Sequence, residues 1–194
     1  MESAEKELII KAQNGDQFSF EQLIYNYDRA VLSIAMKYAR DNDDAKDIYQ
    51  EVFIRVFRGL NKFEFRSEFA TWLFRITTNV CITYKTRKKE QLMVSLQNEF
   101  EDEQTGYDSV DLASKERSPE EITSGNDIHG LIWNAVDSLS AKQRMTFVLK
   151  HYEGYKIREI AEMLNCKEGT IKKYLFDAVN NLRKKLKPLN AMQI

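Results

Sequence analysis

Glu153–Leu186 reads EGYKIREIAEMLNCKEGTIKKYLFDAVNNLRKKL, and this stretch decides the fold. Ile157, Ile160, Ala161 and Leu164 mark one apolar face at helical spacing. Asn165-Cys166-Lys167-Glu168-Gly169-Thr170 breaks the pattern, and Ile171, Leu175, Ala178 and Leu182 restart it at steps of four, three and four. Two helices joined by a short turn follow. Small Ala161 lets the second helix cross the first closely, and Gly169 near the turn relaxes the backbone there. A helix-turn-helix most often places its second helix in a DNA major groove. An ordinary helical hairpin in an all-α core would carry the same apolar pattern.

Outward from this stretch the rest of the chain also reads as helix. Among 194 residues there are two prolines and seven glycines, and no alternating strand pattern of useful length. One helix is expected from Ser3 to Gln13, stopping at Asn14-Gly15. A second carries Phe20, Leu23, Ile24, Tyr27, Val31, Ile34, Ala35 and Tyr38 as one wide apolar stripe. Asp41-Asn42-Asp43-Asp44 ends it and caps a third, which buries Ile48, Val52, Val56 and Leu60 with Phe53 and Phe57 on its flanks. A fourth rests on Phe69, Leu73, Ile76 and Val80 and runs into Lys85-Thr86-Arg87-Lys88-Lys89. From Glu90 to about Asp127 the periodicity fades, and Thr105-Gly106 and Ser118-Pro119-Glu120-Glu121 read as linker, with a brief helix open at the latter. Ile128 onward resumes the pattern. Ser140 caps a further helix, and Pro188 is expected to stop the last one.

The formal charge of −1 hides a division. Residues 1–89 balance at +2, residues 90–128 at −9 and residues 129–194 at +6. The fold class expected is therefore all-α: two small helical domains, 1–89 and 128–194, joined by an acidic flexible linker, 90–127, with the helix-turn-helix in the second. No apolar run approaches the roughly 18 residues of a membrane span, so no membrane insertion is expected. The first residues lack a signal-peptide core. Cys81 and Cys166 stand too far apart in sequence to suggest a disulfide framework, which fits a reducing cytoplasm. His129 and His151 lack helical metal spacing, and neither a phosphate loop nor a serine elbow is present. No enzyme, no metal and no cofactor is expected.

Three stretches resemble the small, two-domain extracytoplasmic-function type of bacterial RNA polymerase sigma factor. They are Asp43–Arg58 (DDAKDIYQEVFIRVFR), Phe69–Asn79 (FATWLFRITTN) and Leu139–Arg144 (LSAKQR), the last continued by Tyr152–Tyr155 and the helix-turn-helix. The resemblance implies a transcription initiation factor that binds core RNA polymerase, brings it to promoter DNA and helps melt the duplex, under the control of an anti-sigma factor. An autonomous helix-turn-helix regulator is the alternative; it would need neither of the first two stretches.

The resemblance also assigns residues. Asp47, Gln50 and Glu51 lie on one side of their helix, away from Ile48 and Val52, and with Arg55 they are expected to meet a coiled coil of the large polymerase subunit. Phe63, Phe65, Arg66 and Ser67 stand on the loop expected to accept a flipped base, and Asn79 matches the family's pocket asparagine, whose amide both donates and accepts. Arg75, Tyr84, Lys85, Arg87 and Lys88 are candidates for the backbone of the opened strand. Trp72 suits either core or stacking. For the upstream promoter element the candidates are Lys167, Glu168, Gly169, Thr170, Lys172, Lys173, Tyr174 and Phe176, with Arg144 and Arg158 for phosphates. Phe176 suits packing and DNA contact equally. Tyr174, Asp177 and Val179 replace arginines common in the family, which implies an unusual target or weak duplex binding. The acidic linker, Glu99, Glu101, Asp102 and Glu103 included, is either a mimic of nucleic acid in a polymerase channel or a solvated tether.

Overall fold

The computed structural model describes residues 3–39, 41–102 and 125–190. Among them every regular element is helical: α1 Ser3–Gln13, α2 Gln17–Tyr25, α3 Asp28–Tyr38, α4 Asn42–Leu60, α5 Phe69–Asp102, α6 Gly125–Asp137, α7 Ala141–Phe147, a π-helical turn Val148–Tyr152, α8 Ile157–Met163 and α9 Glu168–Asn190. The starts of α2, α4 and α7 are capped by short polar side chains. The Asp16 carboxylate accepts from the Ser19 amide at 3.1 Å, and that of Asp41 from the Asp44 amide at 2.7 Å. Ser140 and Gln143 form a reciprocal capping box at α7.

The structure departs from the sequence expectation at four places. The stripe from Phe20 to Tyr38 is two helices, because the chain turns at Asn26-Tyr27. There Tyr27 drops between Phe69, with ring centres 5.5 Å apart, and Phe74, at 6.3 Å, while its hydroxyl bonds Glu5. Past Glu90, helix α5 continues to Asp102, a run free of Gly and Pro that holds two each of Glu, Gln and Leu, which favour helix. Helix α9 passes through Pro188 to Asn190; so near the end a proline removes only one backbone bond. In the helix-turn-helix the left-handed residue is Asn165, with φ 50°, whereas Gly169 lies in the first turn of α9. The turn at Thr105-Gly106 and the brief helix from Ser118 lie outside the described residues.

The core starts from the stripes read above. Val31, Ile34, Ala35 and Tyr38 of α3, Ile48, Val52, Val56 and Leu60 of α4, and Phe69, Leu73, Val80 and Cys81 of α5 are buried together. Full burial of one such aliphatic side chain stabilises by about 1.5–3 kcal/mol. Met145, Leu149, Ile160, Ala161, Met163 and Ile171 join the same cluster, so α7, the π turn and α8 pack directly on α3 and α5. A smaller cluster, Ala135, Val136, Leu139, Ala178 and Leu182, ties α6 to α9.

Candidate nucleic-acid and partner interfaces

Helix α4 presents Asp47 and Gln50 to solvent, with Glu51 and Arg55 half-buried beside them. Arg55 Nε donates to Glu51 Oε1 at 2.6 Å, so one turn of helix carries a matched pair and its net charge comes from Asp47. The N-terminal carboxylates of α4 hold α5 in turn. The Tyr84 hydroxyl donates to Asp44 at 2.8 Å and to Asp47 at 3.3 Å, and the Lys88 ammonium lies 3.7 Å from Asp41 and closer still to Asp44. Burial, helped by Asp44, pushes the Tyr84 phenol above its ordinary pKa, and the Asp44 hydrogen bond raises that of Lys88. Both side chains read above as strand contacts are thus bound to the acidic end of α4.

Beside Gln50 runs an open apolar groove between α2 and α4, about 800 Å³ in volume, lined chiefly by Phe20, Ile24, Tyr25, Phe53, Ile54 and Phe57. Tyr25 is 72% exposed, Phe57 66% and Ile54 43%. Phe57 meets Phe20 edge-on, with ring centres 5.3 Å apart. Large apolar side chains left contiguous in water mark an interaction surface. Sequence reading found Phe53 and Phe57 off the buried stripe but missed the groove, because only the packing of α2 on α4 adds Phe20, Ile24 and Tyr25.

The loop after α4 is pinned from the far end of the domain. The Gln13 side-chain amide donates to the carbonyls of Leu60, at 2.9 Å, and Phe63, at 2.8 Å. Phe63 is only 5% exposed and packs on Phe69 and Trp72, with ring centres 5.7 and 5.2 Å away; it supports the loop from beneath. Phe65 forms the surface. It holds a left-handed backbone, φ 57°, which a bulky residue adopts only when its surroundings impose it. Its ring covers Phe63 at 5.0 Å and stays partly exposed. Arg66 is exposed and pairs with Glu64 at 2.7 Å, and Ser67 is half-buried. The Trp72 ring lies flush on α4, where a Cβ at Gly59 would stand 3.2 Å from it. Asn79 and Arg87 are open to solvent. Arg75 and Lys85 lie under the C-terminal half: Arg75 donates to the Glu162 carbonyl at 3.2 and 3.3 Å, and Lys85 to that of Asp137 at 3.1 Å.

In the helix-turn-helix, Lys167, Glu168, Gly169, Lys172 and Lys173 are exposed, and Thr170 and Tyr174 are half-buried. Phe176 is 67% exposed, so it is not a core residue. Arg158 is exposed and pairs with Glu162 at 3.3 Å. Arg144 differs from the expectation of a phosphate contact. It is 1% exposed, pairs with Asp137, and has its guanidinium 5.2 Å from the Tyr38 ring and 5.8 Å from that of Trp133. In this arrangement it cannot touch DNA. Among the described residues no group of three or more His, Cys, Asp and Glu is placed to hold a metal, and no helix is long and apolar enough to cross a membrane.

Comparison with known proteins follows the same division. Residues 23–91 match the model of sigma-70 region 2, and residues 129–182 that of sigma-70 region 4. The chain is 29% identical over 182 residues to the ECF RNA polymerase sigma-E factor of Escherichia coli K12, covering 94% of each. It is 28% identical over 190 residues to the RNA polymerase sigma-H factor of Pseudomonas aeruginosa, covering 95% of each. Among solved structures, its fold is similar to that of CnrH in complex with the cytosolic domain of CnrY, at TM-score 0.62 and 20% identity over 96% of this chain and 99% of that one. It is also similar to the sigma factor RpoE of Bartonella quintana in complex with the anti-sigma factor NepR, at TM-score 0.53 and 24% identity over 87% and 96%.

Proposed function

Because the chain is a sigma factor of the extracytoplasmic-function type, a transcription initiation factor that directs RNA polymerase to promoters, we propose that its α2–α4 groove is the grip on core polymerase. The observation that carries this is the open aromatic groove of Tyr25, Ile54 and Phe57 running beside the acceptors Gln50 and Asp47. An amphipathic helical partner would lay apolar side chains into the groove and basic ones against Asp47, Gln50 and Glu51. Burial of the aromatics supplies affinity; the polar edge supplies register.

Strand opening falls to the loop after α4 and the exposed side of α5. A flipped base costs roughly a few kcal/mol to unstack, and the Phe65 ring, with Ser67 beside it in the loop and Asn79 exposed on α5, offers stacking and edge recognition to offset that. Arg66 and Arg87, both exposed, are placed to follow the backbone, and Arg75 and Lys85 join them once the C-terminal half moves away. The exposed start of α9, Lys167 to Lys173, takes the upstream element, its backbone amides and lysines meeting phosphates and Phe176 a thymine methyl or sugar. Residues 1–89 and 128–194 are the two working units, and residues 90–127 join them. The protein works with the polymerase in the cell interior, catalysis belongs to the polymerase, and an anti-sigma factor holds the chain inactive, a reading supported by the complex of RpoE with the anti-sigma factor NepR.

Run-off transcription from a promoter library with purified core polymerase tests this reading. Selective transcripts that require the chain are expected. A footprint on duplex DNA by the free protein, with no initiation, would transfer it to the autonomous regulators.

A further inference from the structure

We propose that the two halves of the free chain form an autoinhibitory latch, in which the end of α6, α7, the π turn and α8 close over the cations of α5 that the opened DNA strand requires. The occlusion rests on the assignment of Arg75 and Lys85 to DNA made above; the latch itself does not. One line of contacts carries it. On α3, the Ser33 hydroxyl donates to Glu153 Oε1 at 2.9 Å, and Lys37 pairs with the same carboxylate at 2.9 Å. The Tyr38 hydroxyl donates to the Ala141 carbonyl at 3.4 Å. On α5, Arg75, Thr78 and Lys85 donate to the carbonyls of Glu162, Met163 and Asp137, and the Phe74 ring meets Tyr155 at 5.9 Å. Residues 75, 78, 82 and 85 share one side of a helix. That side is turned to the C-terminal half, and Asn79 to solvent.

The seam carries its own means of opening. Arg144 sits in it, buried at 1% exposure. Asp137 and the Tyr38 and Trp133 rings hold its guanidinium there, and water or phosphate can take their place when the seam parts. Most of the direct bonds are to main-chain carbonyls at helix ends, which water can replace. Two packings of comparable stability are the requirement for a switch. Polymerase and promoter, which bind only the open form, then shift the population by their own affinity.

The buried thiol of Cys81 supplies a reporter. It is 0% exposed in the joint core, where its neighbours include the charge of Arg144, and burial pushes its pKa up. With Cys166→Ser removing the other thiol, the rate of Cys81 modification by a disulfide reagent measures seam opening under native conditions. Lys37→Glu and Glu153→Lys each place like charges across the seam; neither residue belongs to the proposed polymerase or DNA surfaces. Each is expected to speed Cys81 modification about fivefold, to enlarge the radius of gyration in solution scattering, and to tighten binding of single-stranded DNA by the free protein. The exchanged pair, Lys37→Glu with Glu153→Lys, should return all three toward wild type, which a general loss of folding would not allow. Unchanged thiol rates and radius in both single variants overturn the latch. Faster thiol modification with unchanged DNA affinity keeps the latch, and overturns the occlusion and the assignment of Arg75 and Lys85.

Discussion

Replacing Phe57 by alanine tests the proposed polymerase grip most directly. The side chain is 66% exposed in the free chain, so of about 200 Å² of phenylalanine surface about 130 Å² remains for a partner to cover. At about 25 cal/mol/Å² complete coverage is worth at most about 3 kcal/mol. A groove wall covered from one side realises about half of that, about 1.5 kcal/mol, or roughly tenfold in Kd. The free protein loses the edge-on packing against Phe20 at 5.3 Å, a cost of about 1 kcal/mol in folding stability, so a thermal melt must accompany the binding assay. Competition between labelled wild type and unlabelled variant for core polymerase reads the Kd. Phe57→Glu, which also adds a charge, should weaken binding further. An unchanged Kd in both variants, with both folded, would refute the groove as the docking surface and leave the polar edge of α4 to act alone.

Asp41→Ala removes the cap of α4, whose carboxylate accepts from Asp44 at 2.7 Å; a loss of about 1 kcal/mol is expected, read as a melting temperature lowered by a few degrees. Tyr38 and Tyr84 have phenols raised first by burial, and Tyr84 further by Asp44. A folded-state pKa above the unfolded value of about 10 means that their contribution is complete below that pH and is lost as pH rises through the folded-state pKa. Absorbance titration should therefore show these phenols ionising after the exposed ones, together with the loss of helical circular dichroism. Lys172→Ala with Lys173→Ala should weaken binding of the polymerase complex to all upstream sequences alike and lower the salt slope by about 1 for each phosphate that a lysine no longer neutralises; loss of sequence preference instead would make them base readers.

What the sequence made legible was local. Stripes such as Ile48, Val52, Val56 and Leu60 are set by the helical repeat, and caps such as Ser140 with Gln143 need only four residues to recognise. The stretches around Asp47, Asn79 and Arg144 identified the family because they keep order and spacing. What required coordinates was long-range. The groove exists only because α2 sets Phe20 and Tyr25 beside Phe57, and the rigid base of the 61–67 loop only because Gln13 reaches Leu60 and Phe63. Charge alone could not reveal that Arg144 is buried between two aromatic rings, that Lys88 is bound by Asp44, or that Arg75 faces a carbonyl. An arginine or lysine in a string of letters reads as solvent-facing until a partner is placed over it. The positive φ of Asn165 was equally hidden, since Gly169 offered the more obvious left-handed candidate; asparagine tolerates that region through its short polar side chain.

The composition of α9 follows from how binding is shared. Its exposed leading turns carry Lys172 and Lys173 but also Glu168, and the half-buried Asp177 lies one turn on. Such a surface neutralises few phosphates, and phosphate neutralisation supplies most non-specific affinity. A factor that bound duplex DNA tightly by itself would be spread over the many competing sites of a genome without polymerase. If α2 and α4 hold the polymerase as proposed, the same weak surface acts at an effective concentration set by the complex, and modest affinities at the two promoter elements multiply. The seam of α5 with α8 and the end of α6 strengthens the condition, because with it closed Arg75 and Lys85 already donate to the carbonyls of Glu162 and Asp137. On the proposed assignments, weak duplex reading and a self-covered melting surface have one expected consequence: DNA recognition depends on prior capture by the polymerase.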